Sequence, residues 1–221
     1  MPAPRKFSLE QLRTAALNLV DSDGLNALTM RGLAATLGTG AMTIYNYVDG
    51  REGLEQLVTG AVMAEACWDT RPELDWQERV VAVAVGMWRA VRAHPNAIPL
   101  ILTRRSLDLE TLRPAEALLE ALADSGLSGH RLLVAFRAVS GLIAGSAQAE
   151  LTGPLAVARG ENLSTATEHI AALPTPQFAK LIEIAHAALD SEPEDEFRAA
   201  LHIIVAGLKA QPGDAADLPS Q

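Results

Sequence analysis

Apolar residues recur along this chain at intervals of three and four, with polar residues between them, over nearly its whole length. That period marks amphipathic helices, each turning one apolar stripe toward a core. The first run, Leu9, Leu12, Ala16, Leu19 and Val20, follows Ser8 and stops at Asp23-Gly24. Ser8 is a good N-cap, and Gln11 three residues on completes the capping-box spacing. Thr29 opens a short second helix, Met30 to Leu37, which Gly38 ends. After the tight Thr39-Gly40 link a third short helix covers about Ala41 to Val48, and Asp49-Gly50 breaks it. A fourth runs from about Arg51 to Trp68, and Arg71-Pro72-Glu73 marks a boundary behind it.

Downstream the same period predicts helices over 75–93, 97–105, 108–124, 128–151, 176–190 and 194–210, with Pro114 in or near the first turns of its helix. Residues 152–176 hold Gly153-Pro154, Gly160, Pro174 and Pro176, and read as a loop or partly ordered excursion. Residues 211–221 read as a disordered tail. No segment alternates with period two. The expected fold is all-α, with an N-terminal three-helix unit over 8–68 and a C-terminal helical bundle over 74–210.

Composition sharpens this reading. Aromatic residues are only 4% of the chain while Ala and Leu abound, which favours helix over strand. The 49% apolar content is that of a globular protein rather than a disordered one. No uninterrupted apolar run approaches the ~20 residues that cross a bilayer, and the start, Met1-Pro-Ala-Pro-Arg-Lys, lacks the apolar core of a signal peptide. A single cysteine, Cys67, excludes an intrachain disulfide. A cytoplasmic protein without a membrane partner is therefore expected. The net charge of −9 argues against nucleic acid, yet residues 1–60 carry five basic side chains against six acidic ones, so the excess lies downstream.

Residues 29–48 form two short helices around a glycine-bearing turn, behind a longer helix able to support them. This is the helix-turn-helix layout, whose second short helix enters the DNA major groove. Leu33, Ala34, Leu37, Met42, Ile44 and Val48 can pack the unit together. Thr43, Asn46 and Tyr47 are then left facing outward, with Tyr45 close by. Hydroxyls and an amide suit phosphate oxygens and base edges, and Asn46 is the natural candidate to read an adenine or another base edge. Two functional classes stand open on this layout: a DNA-binding regulator, and a helical small-molecule binding protein or enzyme that only shares the shape.

Other chemistry finds little support. Glu183-Ile-Ala-His186 is half of a di-iron bundle signature, and no second copy exists. His130, His169 and His202 lack metal-like spacing, His94 before Pro95 reads as a helix-end residue, and Cys67 as a small core hydrophobe. No Walker loop, zinc pattern or nucleophile elbow is present. No cofactor, metal or catalytic residue is expected.

The stretches Leu28-Thr-Met-Arg-Gly-Leu-Ala-Ala-Thr-Leu-Gly, Met42-Thr-Ile-Tyr-Asn-Tyr-Val and Arg51-Glu-Gly-Leu resemble the N-terminal signature of the tetracycline-repressor family of transcriptional regulators. The resemblance implies a repressor that grips palindromic double-stranded operator DNA as a homodimer and releases it on binding a small-molecule inducer. It implies that Thr43, Tyr45, Tyr47 and Arg51 hold phosphates, that Arg31 and Asn46 approach bases, and that Arg5 and Lys6 form an arm along the backbone or minor groove. The chain departs from the family where His is common at Tyr47, Lys at Arg51 and a basic residue at Asp49.

Through 74–210 Trp76, His94, Thr103-Arg104-Arg105 and Phe197…Gly207-Leu208 resemble the C-terminal branch from which the family takes its name. That branch holds its ligand among central helices and dimerises through a four-helix bundle. Matched by position, its metal-holding histidine falls on Ile101. The implied ligand wall is Met63, Cys67, Val83, Met87, Ile101, Leu102, Leu109, Leu112, Phe136, Val139 and Ile143, with Arg105 as the retained polar member and Ser140 and Gln148 as lesser ones. Such a wall suits an apolar or amphipathic organic molecule held without metal. For dimerisation, Ala135, Ala138, Gly141, Ala144, Gly145 and Ala147 permit close helix approach, and Leu201, Ile204, Val205 and Leu208 form a stripe without an obvious partner.

Overall fold

The computed structural model describes residues 6–103, 109–152 and 163–210, and every regular element among them is helical. The chain is all-α. It divides into two compact units, one built from the residues up to Asp69 together with Gly86–Glu120, the other from Thr70–Val85 together with the residues from Ala121 onward. The division therefore does not follow a single cut in the sequence, because the chain returns to the first unit at Gly86.

In the first unit α1 (Leu9–Asp23) begins at a closed capping box. Gln11 N donates to Ser8 Oγ at 3.1 Å and Ser8 N to Gln11 Oε1 at 2.8 Å. These bonds satisfy N–H groups that the first turn leaves without a helical partner. The buried stripe Leu12, Ala16, Leu19 and Val20 packs α1 on α2 (Met30–Thr36) and on α4 (Gly50–Ala64). The one-turn α3 (Ala41–Ile44) sits on α2. Leu28, Leu33, Ile44, Leu54, Val58 and Val62 close this core. The second half of α5 (Trp76–Ala93), a 3-10 turn over Pro95–Ala97, α6 (Ile98–Thr103) and most of α7 (Leu109–Ala123) complete the unit.

The helix expected to reach Trp68 ends at Ala64. Glu65 N and Ala66 N turn back to the carbonyls of Val62 and Met63, tightening the last turn. Beyond it the Cys67 carbonyl lies against Gly86 of α5 so closely that a Cβ there would collide with it. Packing against α5 replaces the helix at this point, and Cys67 is exposed rather than part of the core.

In the second unit α8 (Gly129–Thr152) and α11 (Pro193–Ala210) pack together, as do α9 (Leu163–Ala171) and α10 (Thr175–Ala188). Ala135, Val139, Ile143 and Ala147 are buried along α8, and Phe197, Leu201 and Val205 along α11. Glu194, Asp195 and Glu196 in the first turn of α11 and Lys209 in its last match the helix dipole. Residues 163–171 form a helix where a loop was expected; glycine and proline crowd both ends of 152–176 but leave its centre free to coil. The expected tail over 211–221 lies outside the described residues. Gly129–Ala149 within α8 is long and apolar enough to cross a membrane, and most of it is not buried in the fold.

Candidate nucleic-acid interface

The short helices α2 and α3 are joined by a turn that the backbone closes by itself. Gly38 takes φ +61°, its N–H donates to Ala35 O at 3.1 Å, and Thr39 N donates to Ala34 O at 2.8 Å. This paired arrangement ends α2 with its carbonyls satisfied and favours glycine at the left-handed position. Thr29 caps the start of α2, accepting from Gly32 N at 2.9 Å. The angle between α2 and α3 is thus held at both ends by local bonds.

From this frame α3 and the turn after it present their side chains. Ile44 is fully buried, whereas Met42 is 77% exposed and Tyr45 52% exposed. Met42 was expected in the packing set. Two residues from Ile44, it points to the opposite side of a helix that has only one turn. Asn46 is exposed, and Thr43 and Tyr47 are half-buried. Backbone bonds Asn46 N to Thr43 O and Tyr47 N to Ile44 O continue the coil beyond Ile44 as a tighter turn, so the expected helix to Val48 is shorter.

The candidate phosphate contacts do structural work. Tyr47 Oη accepts the Phe7 N–H at 2.9 Å, and the two rings stand 6.4 Å apart. Lys6 Nζ donates to Thr39 Oγ1 at 3.4 Å, and Thr39 Oγ1 donates to Thr43 Oγ1 at 3.2 Å. The chain ahead of α1 is therefore pinned beside α3. Arg51 spans from α4 to the connection between α1 and α2, its Nη1 donating to Leu28 O at 2.6 Å and Nη2 to Leu25 O at 3.2 Å. Its Nε donates to Glu55 Oε1 at 2.7 Å. Three directed bonds tie the guanidinium to its own chain, and Glu55 balances its charge. Arg31 is exposed on α2, and Arg5 lies outside the described residues.

The candidate ligand residues divide between the two units. In the first, Met63 and Met87 are buried, Ile101 is half-buried, and Cys67, Leu109 and Leu112 are exposed. Leu109 is 82% exposed at the start of α7, so in this unit it forms no wall. In the second unit Val83, Val139 and Ile143 are buried, and Phe136, Ser140 and Gln148 are half-buried. The Ser140 hydroxyl is buried without a hydrogen-bond partner among the described residues. Arg105 and the Leu102 side chain lie outside the described residues. Pattern reading missed the cluster of His94 with Asp21, Glu65 and Asn96, because its members are far apart in sequence and share no motif spacing.

A family model for the tetracyclin repressor-like C-terminal domain matches residues 70–212. The chain is 30% identical over 141 residues to an HTH-type transcriptional regulator of Saccharopolyspora erythraea, covering 64% of this chain and 60% of that protein. It is 29% identical over 139 residues to the class E tetracycline repressor protein of Escherichia coli, covering 61% of this chain and 64% of that one. The alignments thus span less than two thirds of these curated relatives. In three dimensions it superposes on Streptomyces coelicolor ActR, solved in complex with actinorhodin, with a TM-score of 0.78 and 25% identity over 97% of this chain and 100% of that one.

Proposed function

The chain belongs to the tetracycline-repressor-like family, and on that footing we propose that it is a homodimeric transcriptional repressor whose N-terminal head reads palindromic operator DNA and lets go when a small organic molecule binds. The observation that carries this reading is the presentation of Tyr45, Asn46 and Met42 outward from a one-turn helix whose Ile44 is fully buried. A scaffold helix would have no use for exposed Tyr and Met beside an amide. A reader of base edges does, since an amide pairs with adenine and apolar groups meet the thymine methyl.

Dimerisation is supported by the faces α8 and α11 leave uncovered. On α8 the exposed stripe is Val134, Ala138, Gly141 and Gly145, where small residues admit a close neighbour. On α11 Leu201 and Val205 are spent on the unit's own core, and the outward stripe is Ala199, Ile203 and Gly207. Ile203 is 75% exposed on that stripe, an apolar side chain available to a second copy. A dimer supplies the two heads that successive major grooves require. It also accounts for the apolarity of α8 without a membrane.

Ligand response is supported by ActR, which is seen with actinorhodin bound. The predominantly apolar candidate residues, with Ile101 matched by resemblance to the metal-holding histidine of the tetracycline repressor's own branch, favour an apolar or amphipathic organic molecule held without metal. Catalysis forms no part of this reading, and the work belongs in the cytoplasm, where the DNA is. The test is a binding titration of the full chain against DNA flanking its gene, with and without candidate ligands and with a chelator. Tight sequence-selective binding, relieved by ligand in the presence of chelator, is the expected outcome. Absence of selective binding would instead favour a helical small-molecule binding protein.

A further inference from the structure

At the far end of the first unit from α3, one imidazole joins three segments. His94 ends the connection out of α5, its conformation restricted by the following Pro95. Its Nδ1 lies 2.7 Å from a carboxylate oxygen of Asp21 in the last turn of α1. Its Nε2 lies 2.8 Å from a carboxylate oxygen of Glu65, the C-cap of α4. Asn96 completes the junction by donating from Nδ2 to the carbonyls of Val20 and Asp21 in the last turn of α1, both at 3.1 Å. The His94 side chain is 12% exposed.

Only the doubly protonated ring can serve this geometry. An imidazolium has two N–H donors, one for each carboxylate; a neutral ring has one donor and would set a lone pair against the other carboxylate. We propose that His94 is a proton-operated latch: charged, it ties the ends of α1 and α4 to the α5–α6 turn, and on losing its proton it releases one of the two helices. The functional part of this inference rests on the DNA-binding reading above, because α1 and α4 support the reading head and α4 also packs against α6.

Burial by itself lowers the pKa of His94, but the hydrogen bonds to Glu65 and Asp21 and their charges outweigh it and hold the value above 6.5. Among the described residues the charges acting on the ring are Asp21, from α1, and Glu65, from the end of α4; Pro95, Asn96 and Ala97 on its own segment carry none. The sign follows. A group whose folded pKa is raised stabilises fully below its unfolded value, near 6.5, and that contribution is lost as pH rises through the folded value. The latch is closed below pH 6.5 and opens as pH rises through the raised value.

Ring resonances of His94 in the full chain, assigned by their absence in His94→Gln, should titrate above pH 6.5 and move down in Asp21→Asn and in Glu65→Gln. Wild type should melt about 2–4 °C above His94→Gln at pH 6, with the gap closing by pH 9. Wild-type affinity for operator DNA should fall more than that of His94→Gln between pH 6 and pH 8.5. A ring that titrates at or below 6.5, or a melting gap equal at both pH values, overturns the latch. A titrating latch with identical pH profiles of DNA affinity in both proteins overturns its coupling to the head. Absence of DNA binding in either protein at any pH counts against the repressor reading and leaves the ring and melting results to judge the latch.

Discussion

Asn46 and Arg51 stand in different surroundings, one exposed and the other bonded to three oxygens of its own chain, and substitution separates their roles. Asn46 is exposed and has an amide free to pair with a base edge, so Asn46→Ala should cost about 1–3 kcal/mol of selectivity at one position per half-site. Competition titrations against operators changed one base pair at a time measure this, and unchanged selectivity would remove Asn46 from the reading set. The resemblance placed Arg51 on phosphate, but its guanidinium is bonded to the carbonyls of Leu25 and Leu28 and to Glu55. Arg51→Ala should therefore lower stability by about 1–3 kcal/mol and leave the slope of log affinity against log salt nearly unchanged. A phosphate contact would reduce that slope by about one. Sequence could show which residues are polar near α3, but not which had already found partners inside the chain. Tyr47 and Arg51 are polar and near α3, and their internal partners Phe7, Leu25, Leu28 and Glu55 could not be read from spacing.

At the scale of elements the capped starts of α1 and α2 were legible, whereas the end of α4 was not. Ser8 with Gln11 and Thr29 with Gly32 make local bonds that depend on residues three apart. The end of α4 depends on Gly86, some twenty positions past it, and no local pattern could report that contact. Gly86→Ala would drive a methyl into the Cys67 carbonyl, where only a backbone shift could relieve it. The loss in a denaturant melt should be about 1–3 kcal/mol, although alanine is the better helix former. A gain in stability would show that α5 and the chain after α4 are not in contact. The α11 stripe teaches a related lesson. Leu201, Ile204, Val205 and Leu208 satisfy helical spacing, yet Leu201 and Val205 face the unit's own core and Ile203 faces out. Periodicity finds an apolar face but cannot say whether its partner is the same chain or another.

For the whole molecule the account requires two copies, since one head spans one half-site. Ile203→Arg on α11 and Ala138→Arg on α8 should each give monomers by sedimentation while leaving helix content intact, and these monomers should lose operator affinity by at least ~10²-fold. A dimer that survives both changes would place the interface elsewhere. The all-α class was legible because every run keeps one period; the division into units was not, because the chain leaves the first unit at Asp69 and rejoins it at Gly86. The central claim is sequence-selective DNA binding, and it is tested most directly by titrating the purified chain at fixed salt against DNA flanking its gene and against unrelated DNA of equal length. The account predicts a protected palindrome bound by a dimer at least ~10³-fold more tightly than the unrelated duplex. Equal affinity for both duplexes, governed by salt alone, would contradict it.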